Sequence, residues 1–354
     1  MSGKTIFITG GAGYVGEMLC DQFSKRDDVA RIVALDKEPQ SDWSKSFSKV
    51  TYIQYNLADA GWQEQVAQFQ PDTIVHTAWQ IRAMYGNAKE QWRWNVHGSD
   101  AVFDFAIANT SVKKLIYFST ASSYSARRDN RFEHLFTEDE GFRDDDYIYA
   151  HEKKVTEEHL SDKYAHASRE DLSVVVVRPA AITGPRGRYM RIRFGLQSAL
   201  QGNLKGSPVY KLVTMLTAFV PATKGWVRQF IHEDDVNDIV QHFTFNEAPS
   251  RYEVYNITPD SEPVYAKDMA AAVGKRILPI QPWMARIAFF CFWHLTRGKV
   301  PTCPGSWRFY SYPIVMSGKK LATVYRCAYS SKDAFQFTDG RYESFVPELL
   351  RRNK

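Results

Sequence analysis

Three side chains, Thr120, Tyr149 and Lys153, have the types and spacing needed to move a proton at a carbon-bound oxygen. Tyr149 and Lys153 are four residues apart in a stretch with helical spacing, so we expect them to share one face of a helix. A phenol with a pKa of about 10 is a poor acid or base at neutral pH, but a neighbouring ammonium favours the phenolate. Thr120 follows an apolar run, and its hydroxyl is expected to hold the substrate oxygen. Thr120 and Tyr149 are therefore predicted to contact the substrate, and all three residues are predicted to be catalytic.

The sequence contains a second tyrosine and lysine four residues apart, Tyr85 and Lys89. In a chain with 19 tyrosines such a pair arises easily by chance. No hydroxyl-rich segment precedes this pair, whereas residues 119–124, before Tyr149, read STASSY. We therefore interpret Tyr85 and Lys89 as a coincidental pair.

A glycine-rich turn near the start of the chain predicts a dinucleotide site. The strand pattern of residues 5–8 runs directly into TGGAGYVG at residues 9–16, and helical spacing follows at once. In such turns the first glycine permits the tight turn, the second lets the backbone approach a pyrophosphate, and the third lets the helix pack closely on its strand. Gly10 or Gly11 would serve the first of these roles. The residues predicted here to bind the cofactor are Gly10, Gly13, Tyr14, Val15 and Gly16.

A carboxylate at the end of the second predicted strand favours NAD as the cofactor. Asp36 comes twenty residues after Gly16 and directly after the apolar run 31–35. A carboxylate at this position can bind both hydroxyls of an adenosine ribose and would repel a 2'-phosphate. Lys37, next to it, weakens the preference for NAD over NADP. With bound NAD, the nicotinamide would transfer a hydride while Tyr149 transfers a proton.

Composition and charge describe a globular chain and exclude several other classes. Of 354 residues, 44% are hydrophobic and 24% are charged, which supplies a sizeable core. The four cysteines have no metal-ligand or disulfide-framework spacing, so we predict no metal site and a reducing compartment. The net charge of +5 comes from basic residues mixed with acidic ones, so we predict no nucleic-acid partner. Four arginines in eight residues, at positions 186, 188, 191 and 193, form either a solvated loop or an anion clamp, and sequence alone favours the loop.

The location of the protein is expected to be cytoplasmic. The first strand pattern begins at Thr5, which leaves no room for a signal peptide before it. The most apolar run, residues 287–293 within 283–295, is shorter than the roughly 18 residues that span a bilayer. We predict no transmembrane segment and a buried or interfacial helix at 283–295, and contact with a membrane surface stays open.

Strand and helix patterns alternate through the first half of the chain, which predicts an α/β fold with a doubly wound parallel Rossmann sheet. The predicted strands are residues 5–8, 31–35, 51–55, 73–77, 114–118 and 173–178, and the predicted helices are 14–25, 62–69, 88–108 and 149–163. Later in the chain we expect a strand at 229–231 that returns to the sheet, a helix that begins at 232–236, and a strand at 252–257. The predicted NAD-binding domain is residues 1–180, completed by about 227–258. Residues 181–226 and 259–354 are predicted to form a smaller substrate-binding lobe that closes over the cofactor.

From residue 3 to about 260 the chain resembles the extended short-chain dehydrogenases/reductases of the NAD-dependent epimerase/dehydratase type, the group that includes UDP-galactose 4-epimerase. The TGxxGxxG and YxxxK motifs are matched at residues 9–16 and 149–153, and the catalytic Ser or Thr is matched by Thr120. Weaker matches are DTIVHTA at 72–78, NVHGS at 95–99, the RP and GP pairs at 178–185, and RQFIH at 228–232. The resemblance implies further cofactor contacts at Asn56, Leu57, Ala78, Asn95 and Lys153.

Some positions depart from the patterns of this family. Asn56 stands where an aspartate usually faces the adenine, so a side-chain oxygen remains without the charge. Ala121 and Ser122 stand where the sugar-nucleotide 4,6-dehydratases carry Asp-Glu, so dehydration is not expected. Residues 180–183 lack the asparagine that is common in the nucleotide-sugar members.

Three functions are compatible with these residues. The first is an NAD-dependent epimerase or oxidoreductase of a nucleotide sugar, in which Arg228 matches the phosphate-contacting position of the family and Arg186 is a further candidate. The second is a dehydrogenase or reductase of an apolar alcohol or ketone, similar to the hydroxysteroid and flavonol branches. Its pocket would be lined by Trp283, Phe289, Phe290, Trp293 and Trp307. The third is a noncatalytic NAD-sensing protein, and the sequence also leaves open whether the chain forms a homodimer.

Overall fold

A computed structural model describes residues 3–143, 146–186, 206–208, 210–212, 219–272 and 275–336. Within these residues the strands, in chain order, are β1 Lys4–Thr9, β2 Val29–Asp36, β3 Val50–Gln54, β4 Thr73–His76, β5 Lys114–Phe118, β6 Ser173–Pro179, β7 Ala181–Thr183, β8 Val220–Ala222, β9 Val227–Arg228, β10 Phe230–His232, β11 Tyr252–Ile257, β12 Val264–Tyr265 and β13 Ile277–Pro279.

The α-helices of the same residues are α1 Tyr14–Ser24, α2 Trp62–Ala67, α3 Ala88–Trp92, α4 Gly98–Ala108, α5 Ile148–His166, α6 Glu233–Phe245, α7 Ala266–Ala272, α8 Pro282–Leu295, α9 Ser306–Ser311, α10 Lys319–Ala322 and α11 Ser331–Gln336. A π-helical turn, Arg93–His97, joins α3 to α4, so the helix predicted at 88–108 is continuous but locally widened. None of the described helices is long and apolar enough to cross a membrane.

Seven parallel strands form the central sheet in the order β11-β6-β5-β4-β1-β2-β3. The order reverses beside β1, and β4 and β2 flank it on either side, as in a doubly wound sheet. This confirms the predicted fold class. The strand predicted at 252–257 is present as β11, which pairs with β6 from Tyr252 to Ile257. The division into a cofactor domain and a substrate lobe stays a prediction.

The two faces of the sheet bury separate apolar clusters. Successive side chains of a strand point to opposite faces, and β1 shows this directly. Ile6 and Ile8 are fully buried in the cluster formed with α1 and α6. Phe7, between them, is fully buried in the other cluster, with α2 and α4. Because helices cover both faces, the ends of the strands are the part of the sheet open to a ligand.

The strand predicted at 229–231 does not return to the central sheet, so this expectation was wrong. Strand β10 instead pairs in parallel with β7 in a separate two-stranded sheet. The reason is that β6 already lies between β5 and β11, which leaves no open edge beside it. The helix that follows, α6, begins as predicted, with Glu233, Asp234 and Asp235 in its first turn, where the helix dipole favours acidic residues.

Candidate active site

A cavity of about 510 Å³ lies at the carboxyl ends of β1, β2 and β4. This position is where doubly wound sheets bind their ligands, and the volume is in the range of small-molecule sites. Most of the predicted cofactor residues line it: Gly10, Gly13, Tyr14, Val15, Asp36, Asn56, Leu57, Ala78 and Asn95. Tyr147, Pro301 and Cys303 close the cavity from later parts of the chain.

The glycine-rich turn passes too close to its neighbours to carry side chains. Gly10 has a φ of +75°, and a Cβ atom there would lie 2.8 Å from the backbone nitrogen of Ala78. A Cβ atom on Gly16 would collide with the carbonyl oxygen of Gly10. Gly16 therefore packs α1 against the turn and does not itself line the cavity. The bare backbone and the N-terminus of α1 form a cradle that suits a pyrophosphate.

Asp36 ends β2 and faces the cavity. Its carboxylate accepts hydrogen bonds from the backbone N–H groups of Ala12, at 3.1 Å, and Glu38, at 3.0 Å. Burial raises the pKa of Asp36, and the two backbone hydrogen bonds oppose this shift. Lys37 forms an ion pair with Glu38 at 2.7 Å, so its charge is already matched by a carboxylate. Asp36 therefore both orders the glycine-rich turn and presents an acceptor to a ribose.

The remaining residues of the cavity wall are held by local hydrogen bonds. The side-chain oxygen of Asn56 accepts from the backbone N–H of Ala58 at 3.0 Å, and Leu57 is buried beside it. The backbone N–H of Ala78 donates to the Thr9 hydroxyl at 3.3 Å. These contacts fix the two loops that follow β3 and β4, between which an adenosine is predicted to lie.

Asn95 links the cavity to the helix that carries Tyr149. Its side-chain oxygen accepts from the backbone N–H of Gln80 at 2.7 Å, and its amide donates to Glu152 at 2.7 Å. Gln91 donates to the same Glu152 oxygen at 3.0 Å. Glu152 is fully buried, and its other carboxylate oxygen has no hydrogen-bond partner among the described residues. Burial raises the pKa of Glu152, although Asn95 and Gln91 oppose the shift.

Lys153 is buried between the end of β5 and an indole ring. Its ammonium donates to the carbonyl oxygen of Phe118 and lies 3.7 Å from the ring centroid of Trp79. Burial lowers the pKa of Lys153 well below its ordinary value, and the nearby Glu157 and Glu152 oppose this shift.

Tyr149 lies one turn before Lys153 on α5, but its pKa departs from the predicted direction. Burial raises the pKa of Tyr149, and a hydrogen bond with the Thr120 side chain lowers it only in part. The expectation that Lys153 draws the pKa of Tyr149 down is not met, because the ammonium is directed to Phe118 and Trp79. The phenol is therefore protonated at neutral pH in the protein alone.

Thr120 lies at the end of β5 and approaches Tyr149. Its hydroxyl oxygen accepts from the backbone N–H of Ser122 at 3.1 Å and so caps the short 3₁₀ turn Ala121–Tyr124. The Thr120 side chain also lies in hydrogen-bond range of Tyr149, where it stabilises the phenolate. The structure thus brings Thr120, Tyr149 and Lys153 together at one end of the sheet.

Trp79 and Glu152 are parts of this site that sequence reasoning missed. Trp79 lines the cavity and meets the Tyr149 ring edge to face, with centroids 6.4 Å apart. Its indole N–H is buried and has no partner among the described residues. Both residues had a signal in the sequence, since Trp79 directly follows the fourth-strand motif and Glu152 directly precedes Lys153.

Arg228 lies outside the cavity wall and interacts electrostatically with Tyr147, which lines the cavity. Its guanidinium donates to the carbonyl oxygens of Val227, at 2.8 Å, and Phe309. Among the described residues no carboxylate pairs with it, and burial lowers its pKa to about 10. The Phe309 ring lies 4.8 Å from that of Tyr147, which in turn lies 5.7 Å from that of Tyr149. Arg228 thus contacts the backbone of Phe309, whose ring packs against Tyr147, which in turn packs against Tyr149.

Arg186 is paired with carboxylates in the protein alone, and its role as a substrate ligand stays a prediction. Its guanidinium donates to Glu233 at 2.7 Å and to Asp234, both at the start of α6. The hydroxyl of Tyr14 donates to the same Glu233 carboxylate. Because two carboxylates already neutralise Arg186, little of its charge is left for a phosphate. The other arginines of the cluster, at 188, 191 and 193, lie outside the described residues.

The aromatic residues proposed to line an apolar pocket point elsewhere. Trp283 and Phe290 are each 63% exposed, and Trp293 is buried against Tyr85 with ring centroids 5.3 Å apart. None of the five residues predicted for that pocket is among the described side chains that line the cavity. Tyr85 itself lies in the loop before α3, so it does not share a helix face with Lys89.

Comparison with known proteins identifies the family of the chain. The model of the NAD dependent epimerase/dehydratase family matches residues 6–258. The chain therefore belongs to the NAD-dependent epimerase/dehydratase family, whose members are enzymes with NAD as their cofactor. The cavity and its glycine cradle fit that cofactor.

Solved structures of this fold cover nearly the whole chain. The Bordetella bronchiseptica enzyme WbmG, in complex with NAD and UDP, is 20% identical with a TM-score of 0.67, over 96% of this chain and 94% of that one. The UDP-glucose 4-epimerase of Thermotoga maritima, with UDP-glucose, is 17% identical with a TM-score of 0.67. The match covers 96% of this chain and 99% of that one. At these identities the likeness shows the fold alone.

The curated relatives match a smaller part of the chain. An uncharacterised protein of Sinorhizobium fredii is 27% identical over 184 residues, which are 51% of this chain and 42% of the relative. Dihydroflavonol 4-reductase of Solanum lycopersicum is 24% identical over 196 residues, 51% of this chain and 50% of that protein. The chain thus spans about half the length of the curated relatives it matches.

Proposed function

We propose that this member of the family is an epimerase or oxidoreductase that uses NAD to transfer a hydride from, and for an epimerase back to, a nucleotide sugar. The observation that carries the proposal is Arg228, a partly buried guanidinium with no carboxylate partner among the described residues. A desolvated cation is costly unless it is matched by an anion. The diphosphate of a nucleotide sugar is such an anion, and arginine suits it because its planar fork binds two oxygens at once.

A chain of contacts also leads from Arg228 to Tyr149. The guanidinium contacts the carbonyl of Phe309, whose ring leads through Tyr147 to Tyr149. A diphosphate held at Arg228 would leave the sugar to reach Tyr149 and Thr120. Tyr147 also lines the NAD cavity, so the sugar would lie between the phosphate site and the cofactor.

Thr120 and Tyr149 would perform the proton transfer. The Thr120 hydroxyl donates a hydrogen bond to the substrate oxygen and holds it beside Tyr149. Tyr149, as the phenolate, takes the proton from the sugar hydroxyl as the carbon–oxygen bond becomes a carbonyl. Bound NAD supplies the acceptor for the hydride that leaves the same carbon. In an epimerase the proton then returns from Tyr149 to the oxygen, and in an oxidoreductase it passes to solvent.

Lys153 and its neighbours would set the charge at Tyr149. The raised pKa of Tyr149 opposes formation of the phenolate, so catalysis needs additional positive charge near the ring. Lys153 is one turn away, and a partial turn of its side chain from Phe118 would bring the ammonium closer. Glu152 and Asn95 hold the neighbouring part of α5 against the cavity wall.

The alternative is an apolar alcohol or ketone, as in the similarity to dihydroflavonol 4-reductase over half of the chain. The aromatic residues predicted for that pocket do not line the cavity within the described part of the chain. The free charge of Arg228 would also have no partner in an apolar substrate. We therefore favour the nucleotide sugar.

A reducing compartment such as the cytoplasm fits this proposal, since all four cysteines are unpaired thiols.

A substrate panel tests this proposal. Purified protein is incubated with NAD and a set of UDP- and dTDP-sugars, and products are followed by nuclear magnetic resonance. We expect at least one nucleotide sugar to be converted and to raise the melting temperature. A panel in which no nucleotide sugar does either, while a steroid or aromatic ketone does both, would overturn the proposal.

A further inference from the structure

Helix α8, Pro282–Leu295, presents an apolar face to the surface of the protein. We propose that this face docks on an anionic lipid bilayer and holds the protein at the membrane surface. The proposal does not depend on the substrate, because it concerns a surface that lies outside the cavity.

Most of the exposed side chains of α8 are apolar, and Arg286 and His294 are the polar ones. Trp283 and Phe290 are 63% exposed, Ile287 is 55% exposed and Leu295 is 69% exposed. Trp283, Ile287, Phe290 and His294 follow a spacing of four, three and four residues, so they form one stripe along the helix. Ala285, on the opposite side, and Trp293, beside the stripe, are buried. The helix therefore has a second apolar face beyond the one that packs on the protein.

Further exposed apolar side chains lie in the strand that precedes α8 in the sequence. Ile277 and Leu278, in β13, are each 39% exposed, and β13 ends three residues before α8 begins. Large contiguous apolar surfaces are rare on monomeric proteins and mark sites of interaction. A 14-residue helix is about 21 Å long, enough to lie along a membrane but too short to cross it.

The charges around this face select the kind of partner. From residue 269 to residue 332 the sequence has ten lysines and arginines and no aspartate or glutamate. Four of these, Arg276, Arg286, Arg297 and Lys299, are exposed before, within and after α8. None of the four pairs with a carboxylate among the described residues. Tryptophan and phenylalanine flanked by unpaired cations form the combination that binds the interface of an anionic bilayer.

A second copy of the chain is a poorer occupant of this face. A two-fold symmetric dimer places the same patch of both copies in contact. It would bring Arg276, Arg286, Arg297 and Lys299 of one copy near the same four residues of the other. Because residues 269–332 contain no carboxylate, this segment offers nothing to offset the repulsion. An anionic bilayer would bury the apolar stripe and attract the four basic residues.

Docking here would place the cavity near the membrane. The Tyr85 ring packs at a tilt against Trp293 of α8, and its hydroxyl hydrogen-bonds with His294 at 3.1 Å. Tyr85 follows the loop of Ile81 and Arg82, which lines the cavity. The C-terminal end of α8 therefore touches one rim of the active site.

Vesicle flotation of the full chain tests this proposal. The protein is mixed with vesicles of phosphatidylcholine alone or of phosphatidylcholine with phosphatidylglycerol, and the bound fraction is measured at low and high salt. We expect binding to the anionic vesicles only, and weaker binding as salt rises. The triple variant Trp283→Glu, Ile287→Glu, Phe290→Glu should lose at least about tenfold in affinity, since burying even one such side chain provides that much.

A matched control separates docking from a general effect of added charge. Leu135→Glu replaces a leucine that is 40% exposed in a different loop, and we expect it to float like the wild type. Circular dichroism and NAD binding of each variant show that the fold is intact. The proposal is overturned if the wild type does not bind anionic vesicles, or if the triple variant binds them equally well. It is also overturned if light scattering shows a dimer that the triple variant dissociates without any vesicle binding.

Discussion

The Nζ atom of Lys153 lies 3.7 Å from the centroid of the Trp79 ring. This contact joins a residue of the sequence motif to one that the motif does not include. Lys153 also donates to the Phe118 carbonyl, so the ring and the carbonyl hold the ammonium from two sides. The same indole makes an edge-to-face contact with the Tyr149 ring, so we propose that Trp79 positions both side chains.

Replacement of Trp79 should therefore slow the reaction without removing any reacting group. A cation–π contact contributes about 0.5 to 2 kcal/mol, so Trp79→Ala should lower kcat by about 2- to 30-fold. Trp79→Phe keeps an aromatic face and should recover most of the rate. Steady-state kinetics of the two variants check this, and a phenylalanine variant as slow as the alanine variant would argue against the role of the ring.

Tyr149→Phe should lose at least about a hundredfold in rate, the usual scale for a positioned acid–base group. The fold and NAD binding should be unchanged, because only a hydroxyl is removed. Since burial raises the pKa of Tyr149, the rate of substrate oxidation by the wild type should rise with pH as the phenolate forms. The residual rate of the variant should lack this rise.

The control for Tyr149 is the second tyrosine–lysine pair. Tyr85→Phe removes a partly exposed hydrogen bond to His294 and should have almost no effect on rate. Kinetics of both variants on the same substrate decide between the pairs. If Tyr85→Phe were the damaging change, the assignment of Tyr149 would be wrong.

The burial of Lys153 should reduce the free energy of unfolding at neutral pH. Burial lowers its pKa well below the ordinary 10.5, so between these two values the unfolded chain binds a proton that the folded chain does not. The free energy of unfolding contributed by Lys153 therefore rises with pH across this window. Denaturant unfolding of wild type and Lys153→Met at several pH values measures the difference, which should increase with pH in favour of the wild type.

The comparison for Lys153 is Lys163→Met, on the same helix. Lys163 forms a surface ion pair with Asp104 at 2.6 Å, so it shows what removal of an exposed lysine does. A difference between wild type and Lys153→Met that stays constant with pH would contradict the assigned cost of burial.

Asp36→Ala should weaken NAD binding and reduce the discrimination against NADP. The carboxylate is lost as a ribose acceptor, and the backbone N–H of Ala12 loses its partner. Asp36→Asn keeps an acceptor for Ala12 but removes the charge, so it should relax the discrimination with a smaller loss of NAD affinity. Calorimetric titration with both oxidised cofactors checks the two variants. Tighter binding of NADP than of NAD by the wild type would reject the role given to Asp36.

The sequence predicted the sheet well because its signals are local. Buried strands such as Lys114–Phe118 are runs of apolar residues, and the glycine turn at residues 9–16 is specific for a strand followed by a helix. The failure at β10 is different in kind. A short strand pattern does not show which other strand it pairs with. In the central sheet β11, which comes later in the chain, occupies the position beside β6.

The sequence predicted which residues the candidate site contains but not how their surroundings orient them. The sequence placed Tyr149 and Lys153 on one helix, yet the direction of the Lys153 ammonium depends on Trp79 and Phe118, which lie far away in sequence. The ion pair of Arg186 was not foreseen for the same reason, because its partner Glu233 is 47 residues further on. Long-range ion pairs leave no periodic signal in a sequence.

The central claim is that Arg228 binds the phosphates of a nucleotide sugar that reaches Tyr149. The most direct test is calorimetry with a UDP-sugar that the enzyme converts. The UDP-sugar is titrated into the NAD-loaded wild type and into the NAD-loaded Arg228→Met variant. A hydrogen bond to a charged group contributes about 1.5 to 3 kcal/mol, so the variant should bind about 10- to 150-fold more weakly. The loss should shrink at high salt, because screening already weakens the wild-type contact. Arg308→Met is the matched control, since Arg308 of α9 is already paired with Asp146 at 2.8 Å, and it should bind like the wild type. An Arg228→Met protein that binds the UDP-sugar as tightly as the wild type would contradict the account.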